Sequence, residues 1–221
     1  MVSSETYLVA TIRGWNIDNA SKMGYEVISN PDDLTVDLLE KIKPRYVFFP
    51  HWSWIIPPEI YSNYECVVFH MTELPFGRGG SPLQNLISRG IYETKISAIR
   101  VSKGIDTGPV YLKRDLSLHG NAEEIYIRCS DIVFEMIKYI IENEPTPIDQ
   151  LGEPVVFKRR KPHESEIPDT EDLVKVYDYI RMLDVDGYPL AFVETDKLRL
   201  EFSRASRKHD CIMADVKITR K

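Results

Sequence analysis

The chain has 221 residues, 43% hydrophobic and 28% charged, with a formal net charge of −6. That length buries one medium domain, or a domain with a small appendage, and the composition is that of an ordinary globular protein. The acidic balance argues against a dedicated nucleic-acid binder, which needs a basic face to neutralise phosphates.

Residues 7–12 (YLVATI) form a short apolar run and predict a buried first strand. Residues 16–23 predict a short helix closed by Gly24, and residues 25–29 a second strand. Asn30-Pro31-Asp32-Asp33 has the composition of a helix start, and Leu34, Leu38, Leu39 and Ile42 follow at helical spacing up to Pro44. Strands are expected at 46–49 and 67–69. The alternation predicts an α/β, Rossmann-like fold: a mostly parallel sheet flanked by helices. Residues 81–89 predict a helix, and 96–101 and 110–116 predict strands around a glycine-bounded turn. Residues 121–143 carry an apolar stripe through Ile125, Cys129, Ile132, Val133, Met136, Ile137 and Ile140, the pattern of a core-packing helix. A Pro- and charge-rich connector spans 152–170, a short helix is expected at 173–183, and strands at 189–195, 198–203 and 212–218 form a small strand-rich C-terminal unit.

Cys66, Cys129 and Cys211 are odd in number and far apart, which fits neither a disulfide framework nor a metal cluster and suits the cytoplasm. No signal peptide, membrane span, P-loop or metal constellation is read from the letters.

Two segments carry chemistry. FHMTELPFGRGGSP (69–82) places His70 at a strand end before a glycine-rich loop and a helix, where open α/β sheets bind ligands. An imidazole there can take up a proton near neutral pH. KGIDTGP (103–109) places Asp106 in the turn between two strands. Alone, each has a plain structural explanation: a satisfied histidine, and an Asp-Gly turn. Together they resemble the formyltransferases that take their one-carbon unit from 10-formyltetrahydrofolate. That family shows an N-x-H-P-S-L-L-P stretch, then a D-x-G turn. His70, Leu74, Pro75, Arg78-Gly79, Pro82, Asp106 and Gly108 match, with Thr72 for the family's Ser and Val68 for its Asn. FKRRKP (157–162), Ile167, IRMLD (180–184) and YPLAF (188–192) resemble the connector and C-terminal extension of the same family.

The resemblance implies a catalytic domain over 1–150 and a connector with a small C-terminal subdomain over 151–221. It implies transfer of a formyl group to a primary amine, with His70 as general base or oxyanion partner and Asp106 orienting it. Val68 cannot donate to the formyl oxygen, and three explanations stand open. His51 or Ser53 after the third strand substitutes, His51 first. Alternatively Asn85 or Asn63 serves, or the chain binds without turnover. Trp52, Ser53 and Ile105 are expected along the folate, and Thr72, Arg78, Gly79 and Arg160 along the acceptor. The acceptor expected from chain length is a nucleotide-linked amino sugar, ahead of glycinamide ribonucleotide, methionyl-tRNA or an amino acid on a carrier domain. No metal, nucleic acid or membrane partner is expected, and relatives suggest a homodimer.

Overall fold

The computed structural model describes residues 5–221. Two compact units interleave in sequence, in place of the single boundary near residue 150 that the sequence suggests. Unit 1 comprises the chain up to Arg78, Lys95–Leu116 and Ile127–Val156; unit 2 comprises Gly79–Thr94, Ser117–Tyr126 and Phe157–Lys221.

Unit 1 is built on a six-stranded sheet. Through residue 143 the elements of the chain run β1 (Tyr7–Ala10), α1 (Gly14–Lys22), β2 (Glu26–Ile28), α2 (Val36–Ile42), β3 (Tyr46–Phe49), α3 (Pro58–Tyr61), β4 (Cys66–His70), β5 (Phe76–Gly79), α4 (Pro82–Ile87), β6 (Glu93–Arg100), β7 (Val110–Ser117) and α5 (Ala122–Asn143), with α4 assigned to unit 2 and α5 divided between the units at Tyr126. The strand order is β2-β1-β3-β4-β6-β7. β1 pairs in parallel with β2 and β3, and β3 with β4, while β4 pairs antiparallel with β6. The chain moves from β1 to one side for β2, then to the other for β3, so the order reverses between β1 and β3. Open sheets take ligands at the carboxyl ends of strands flanking such a reversal. Tyr46 to Phe49 are buried on both faces, as a central parallel strand requires.

The helix expected from Asn30 is two elements. Asn30 Oδ1 accepts from the Asp32 amide at 3.2 Å and caps one 3₁₀ turn, Pro31–Asp33. Thr35 Oγ1 then accepts from the Leu38 amide at 3.2 Å and starts α2. Two capping residues five apart compete, and the second opens the helix that packs on the core. The long helix expected at 121–143 forms as α5, opened by a reciprocal cap: Asn121 Oδ1 accepts from the Glu124 amide and Glu124 Oε2 from the Asn121 amide.

Unit 2 contains α6 (Leu173–Arg181) and the sheet β11-β10-β9, formed by β9 (Ala191–Glu194), β10 (Leu198–Arg207) and β11 (Ile212–Arg220). β10 pairs antiparallel with both neighbours. A short strand, β8 (Val155–Phe157), pairs with β5 and was not expected from sequence. Arg181 is 2% exposed: Nε donates to Asp178 at 2.7 Å, one terminal nitrogen donates to the carbonyls of Leu118 and Gly120, and Tyr92 donates to the same Asp178. Such a buried pair is tolerable because nearly every polar atom has a partner.

Candidate active site

The site is built in unit 1, at the end of β4. His70 closes that strand and is buried. Its Nε2 lies 2.7 Å from the carbonyl oxygen of Gly77, which can only accept, so Nε2 carries the hydrogen. The other nitrogen, Nδ1, faces the Asp106 carboxylate at 3.4 Å. The ring therefore has one fixed nitrogen and one on which a proton can be placed or removed beside a carboxylate, the arrangement of an acid–base pair.

Asp106 reaches the imidazole from the turn between β6 and β7, with a left-handed backbone (φ 55°). Non-glycine residues enter that region at a cost and persist where the surroundings hold them. Gln150 supplies the hold. Its Nε2 donates to the carbonyls of Asp106 and Gly108, each at 2.8 Å. Its Oε1 accepts from Arg78 Nε at 3.0 Å and a terminal Arg78 nitrogen at 2.8 Å. Gly108 has no room for a side chain: an added Cβ would lie 1.8 Å from the Arg100 carbonyl oxygen. The glycine of the D-T-G turn is thus required by backbone packing.

His51 lies two residues beyond Phe49, and His70 two beyond Val68; Phe49 and Val68 are register partners on β3 and β4. His51 also has a left-handed backbone (φ 53°). Removal from water, helped by the Arg13 charge, pushes its imidazole down to about 4, so the ring is neutral at ordinary pH. Asn16 Nδ2 donates to the carbonyl of Pro50, the residue before His51, at 3.3 Å, and to Thr11 Oγ1 at 3.0 Å. This ties the ends of β1 and β3 together at the point where strand order reverses.

Val68 packs against the apolar cluster containing Val47, Phe49, Ile60 and Cys66. Neither alternative asparagine is poised to replace a donor there. Asn85, in unit 2, spends its amide hydrogens on the carbonyls of Gly80, Ser81 and Lys158, and Asn63 donates to Glu59 at 2.7 Å in the turn that ends α3.

The other expected positions divide. Trp52 lies 5.8 Å from Phe49 and 5.0 Å from Trp54, and its buried indole nitrogen lacks a hydrogen-bond partner among the described residues. Trp54 is half-exposed, while Ser53 and Ile105 are exposed. Thr72 is fully buried, with Oγ1 3.5 Å from the Gly77 carbonyl, as inner packing of the loop. Arg78 is committed to Gln150. Gly79 makes room for the Phe157 carbonyl, 2.4 Å from where its Cβ would stand. Arg160, in unit 2, lies over Tyr179 at 5.6 Å and donates to the Glu164 carbonyl. Cys66 and Cys129 are buried, which pushes both thiols up to about 12 and keeps them from acting as nucleophiles. Gln150 and the Gly77 carbonyl were not readable in advance: a lone Gln in a polar connector carries no motif, and a carbonyl carries no letter.

Residues 162–219 match the family model described as the C-terminal domain of methionyl-tRNA formyltransferase. A solved structure titled methionyl-tRNA formyltransferase from Clostridium thermocellum is 55% identical, covers 98% of this chain and 100% of its own, and superposes with a TM-score of 0.96. A curated methionyl-tRNA formyltransferase from Rickettsia felis is 27% identical over 135 residues, 58% of this chain and 45% of that protein. The chain thus spans about half the length of the curated relatives it matches. HypX from Aquifex aeolicus, solved with tetrahydrofolic acid, shares the fold at 19% identity, covering 92% of this chain and 38% of its own, with a TM-score of 0.73.

The fold is that of a family of one-carbon group transferases. The chain belongs to the formyltransferase family. The whole-length likeness overturns two expectations, a nucleotide-linked amino sugar as acceptor and the absence of any nucleic-acid partner. Both leaned on quantities summed over the molecule, chain length and net charge. Recognition of an RNA depends on where the cations lie. No helix among the described residues is long and apolar enough to cross a membrane.

Proposed function

We propose that this protein transfers a formyl group from 10-formyltetrahydrofolate to the amine of methionyl-tRNA. The observation that carries the reading is the 55% identity over essentially the whole chain to a protein of that name, with the His70–Asp106 pair in place. Tetrahydrofolic acid bound to HypX, a protein of the same fold, supports the donor.

Residues in unit 1 fit a donor with a flat heterocycle. Trp54, Ile55 and Ile105 present exposed apolar surface, and the Trp52 indole has an unused donor. The donor, when bound, supplies a formyl carbon open to attack by an amine. His70 Nδ1 and Asp106 take the proton that the amine gives up as its bond to that carbon forms and return it to the folate nitrogen whose bond to the carbon breaks, which releases tetrahydrofolate, and Gly77 fixes the ring's orientation throughout. The neutral His51 supplies an N–H toward developing negative charge, the task Val68 cannot perform. In unit 2, residues 158–161 are four consecutive cations, and Lys158, Arg159 and Lys161 are exposed, a local patch for RNA phosphates on an acidic chain.

The test is to incubate the purified protein with 10-formyltetrahydrofolate and methionyl-tRNA, following tetrahydrofolate release and formylmethionyl-tRNA. Formation of both, lost in His70→Ala and Asp106→Ala, is expected. Absence of product with the acylated tRNA at any concentration overturns the assignment.

A further inference from the structure

Unit 2 holds a cavity of about 280 Å³ that the His70–Asp106 site does not share. All three segments of the unit contribute to its lining: Tyr92 from the first, His119 from the second, and Val174, Tyr177, Arg181 and Arg207 from the third. Val174, Tyr177 and Arg181 stand at i, i+3 and i+7 of α6, so one face of that helix supplies them together. The volume is close to the lower bound for small-molecule pockets, about 300 Å³, which is room for one ring system with its substituents.

Arg181 organises the cavity. One terminal nitrogen holds the carbonyls of Leu118 and Gly120, on either side of His119, and so fixes the loop that carries that imidazole. The guanidinium stands 5.3 Å from the Tyr92 ring centre and 5.7 Å from that of Tyr177. Its other terminal nitrogen is buried and has no hydrogen-bond partner among the described residues. The rings attract the charge but are weak acceptors. A buried cationic donor in that state is rare, and an acceptor brought by a ligand would satisfy it.

The rest of the lining says what kind of ligand. Tyr92 and His119 stack at 5.5 Å with 14° between their planes, a flat aromatic wall. Their polar atoms are engaged, the Tyr92 hydroxyl donating to Asp178 at 2.8 Å and His119 Nε2 facing Glu93 at 3.8 Å. The wall therefore offers ring surface, on which flat heterocycles stack. Asp178 balances Arg181, whereas Arg207, exposed at the end of β10, has no ion pair among the described residues. Its charge is open to an anion, and a guanidinium suits a phosphate.

We propose that this cavity binds one nucleotide, with its base on the aromatic wall, an acceptor atom of the base at the unpartnered Arg181 nitrogen, and its phosphate on Arg207. The site is lined by none of the residues assigned to formyl transfer, and it does not rest on that assignment. The nucleotide is either free or an unpaired residue of an RNA. Both sources present the same base and phosphate.

Calorimetric titration of the full chain with the four ribonucleoside 5′-monophosphates, their nucleosides and inorganic phosphate tests this. At least one monophosphate should bind about tenfold more tightly than its nucleoside or phosphate alone, the worth of one charge-assisted contact. His119→Ala, at an exposed side chain, should weaken it about fivefold to a hundredfold, the range for loss of one stacking partner. Arg207→Ala should erase the advantage of the monophosphate over the nucleoside and leave nucleoside binding as it was, a split that damage to the fold would not give. His70→Ala should change none of these affinities, so failure of this site and failure of the formyl-transfer reading are told apart. Displacement of methionyl-tRNA by the bound monophosphate, lost in Arg207→Ala, identifies RNA as the source; binding without displacement identifies a free nucleotide. No binding of any monophosphate or of a short single-stranded RNA overturns the proposal. Binding indifferent to both His119→Ala and Arg207→Ala overturns it as well, since the nucleotide then sits elsewhere.

Discussion

Arg78 grips the side-chain oxygen of Gln150 with two hydrogen bonds, 2.8 and 3.0 Å long, and so aims the Gln150 amide hydrogens at the turn that carries Asp106. Gln150→Glu keeps the arginine's acceptor but turns an oxygen toward the Asp106 and Gly108 carbonyls. The expected result is a fall in kcat of about tenfold to a hundredfold, the range for a catalytic group displaced by about 1 Å. Initial rates at saturating donor and acceptor check it, with KM little changed. A KM effect alone would mean that Gln150 serves binding, not placement of Asp106.

Asp106→Asn separates charge from shape. Asn tolerates the left-handed backbone that position 106 requires, so the turn persists. The carboxylate beside His70 Nδ1 is lost, and kcat should fall by about 10²–10⁴-fold, the usual share of acid–base assistance. Circular dichroism and thermal melts should stay near those of the parent. A variant of normal rate would remove Asp106 from the chemistry.

How far the sequence anticipated this depends on the kind of interaction. The buried strands 46–49 and 67–69 and the long helix α5 were readable because burial writes itself as apolar runs and stripes. His70 and Asp106 were readable because they sit in turn motifs. Gln150 was not, since its partners are main-chain carbonyls more than forty residues away. The start of α2 was misplaced because Asn30 and Thr35 are both competent caps, and packing decides between them. The acceptor was misjudged because chain length and net charge are totals over the molecule, and neither locates a binding surface.

His51 gives stability a dependence on pH. Its folded value is about 4, below the unfolded value near 6.5, so the unfolded chain binds the proton first. Stability is full above about pH 6.5 and declines as pH falls toward 4. A shift from 6.5 to about 4 corresponds to at most about 3.4 kcal/mol, and the water that reaches this partly buried ring reduces that to roughly 1–2 kcal/mol. Urea unfolding from pH 4 to 7 measures the slope. His51→Asn, which suits the left-handed backbone, should flatten that part of the curve.

Gly108→Ala tests the backbone approach to Arg100. A Cβ 1.8 Å from a carbonyl oxygen cannot be accommodated by rotating a side chain. The turn must shift, at a cost of about 2 kcal/mol or more, and activity should fall with it. Gly14→Ala, where an added Cβ meets nothing within 4 Å, is the matched control for chemical denaturation.

The interleaving of the two units sets an order on synthesis. Unit 1 has its last segment once Val156 has emerged, whereas Gly79–Thr94 and Ser117–Tyr126 wait for the chain beyond Phe157. The carbonyls of Leu118 and Gly120 meet their buried donor, Arg181, only after about sixty further residues. A ribosome adding roughly 5–20 residues per second leaves those segments without their partners for several seconds. Leu83, Leu86 and Ile87, fully buried at the end, are available to chaperones or to other nascent chains during that interval.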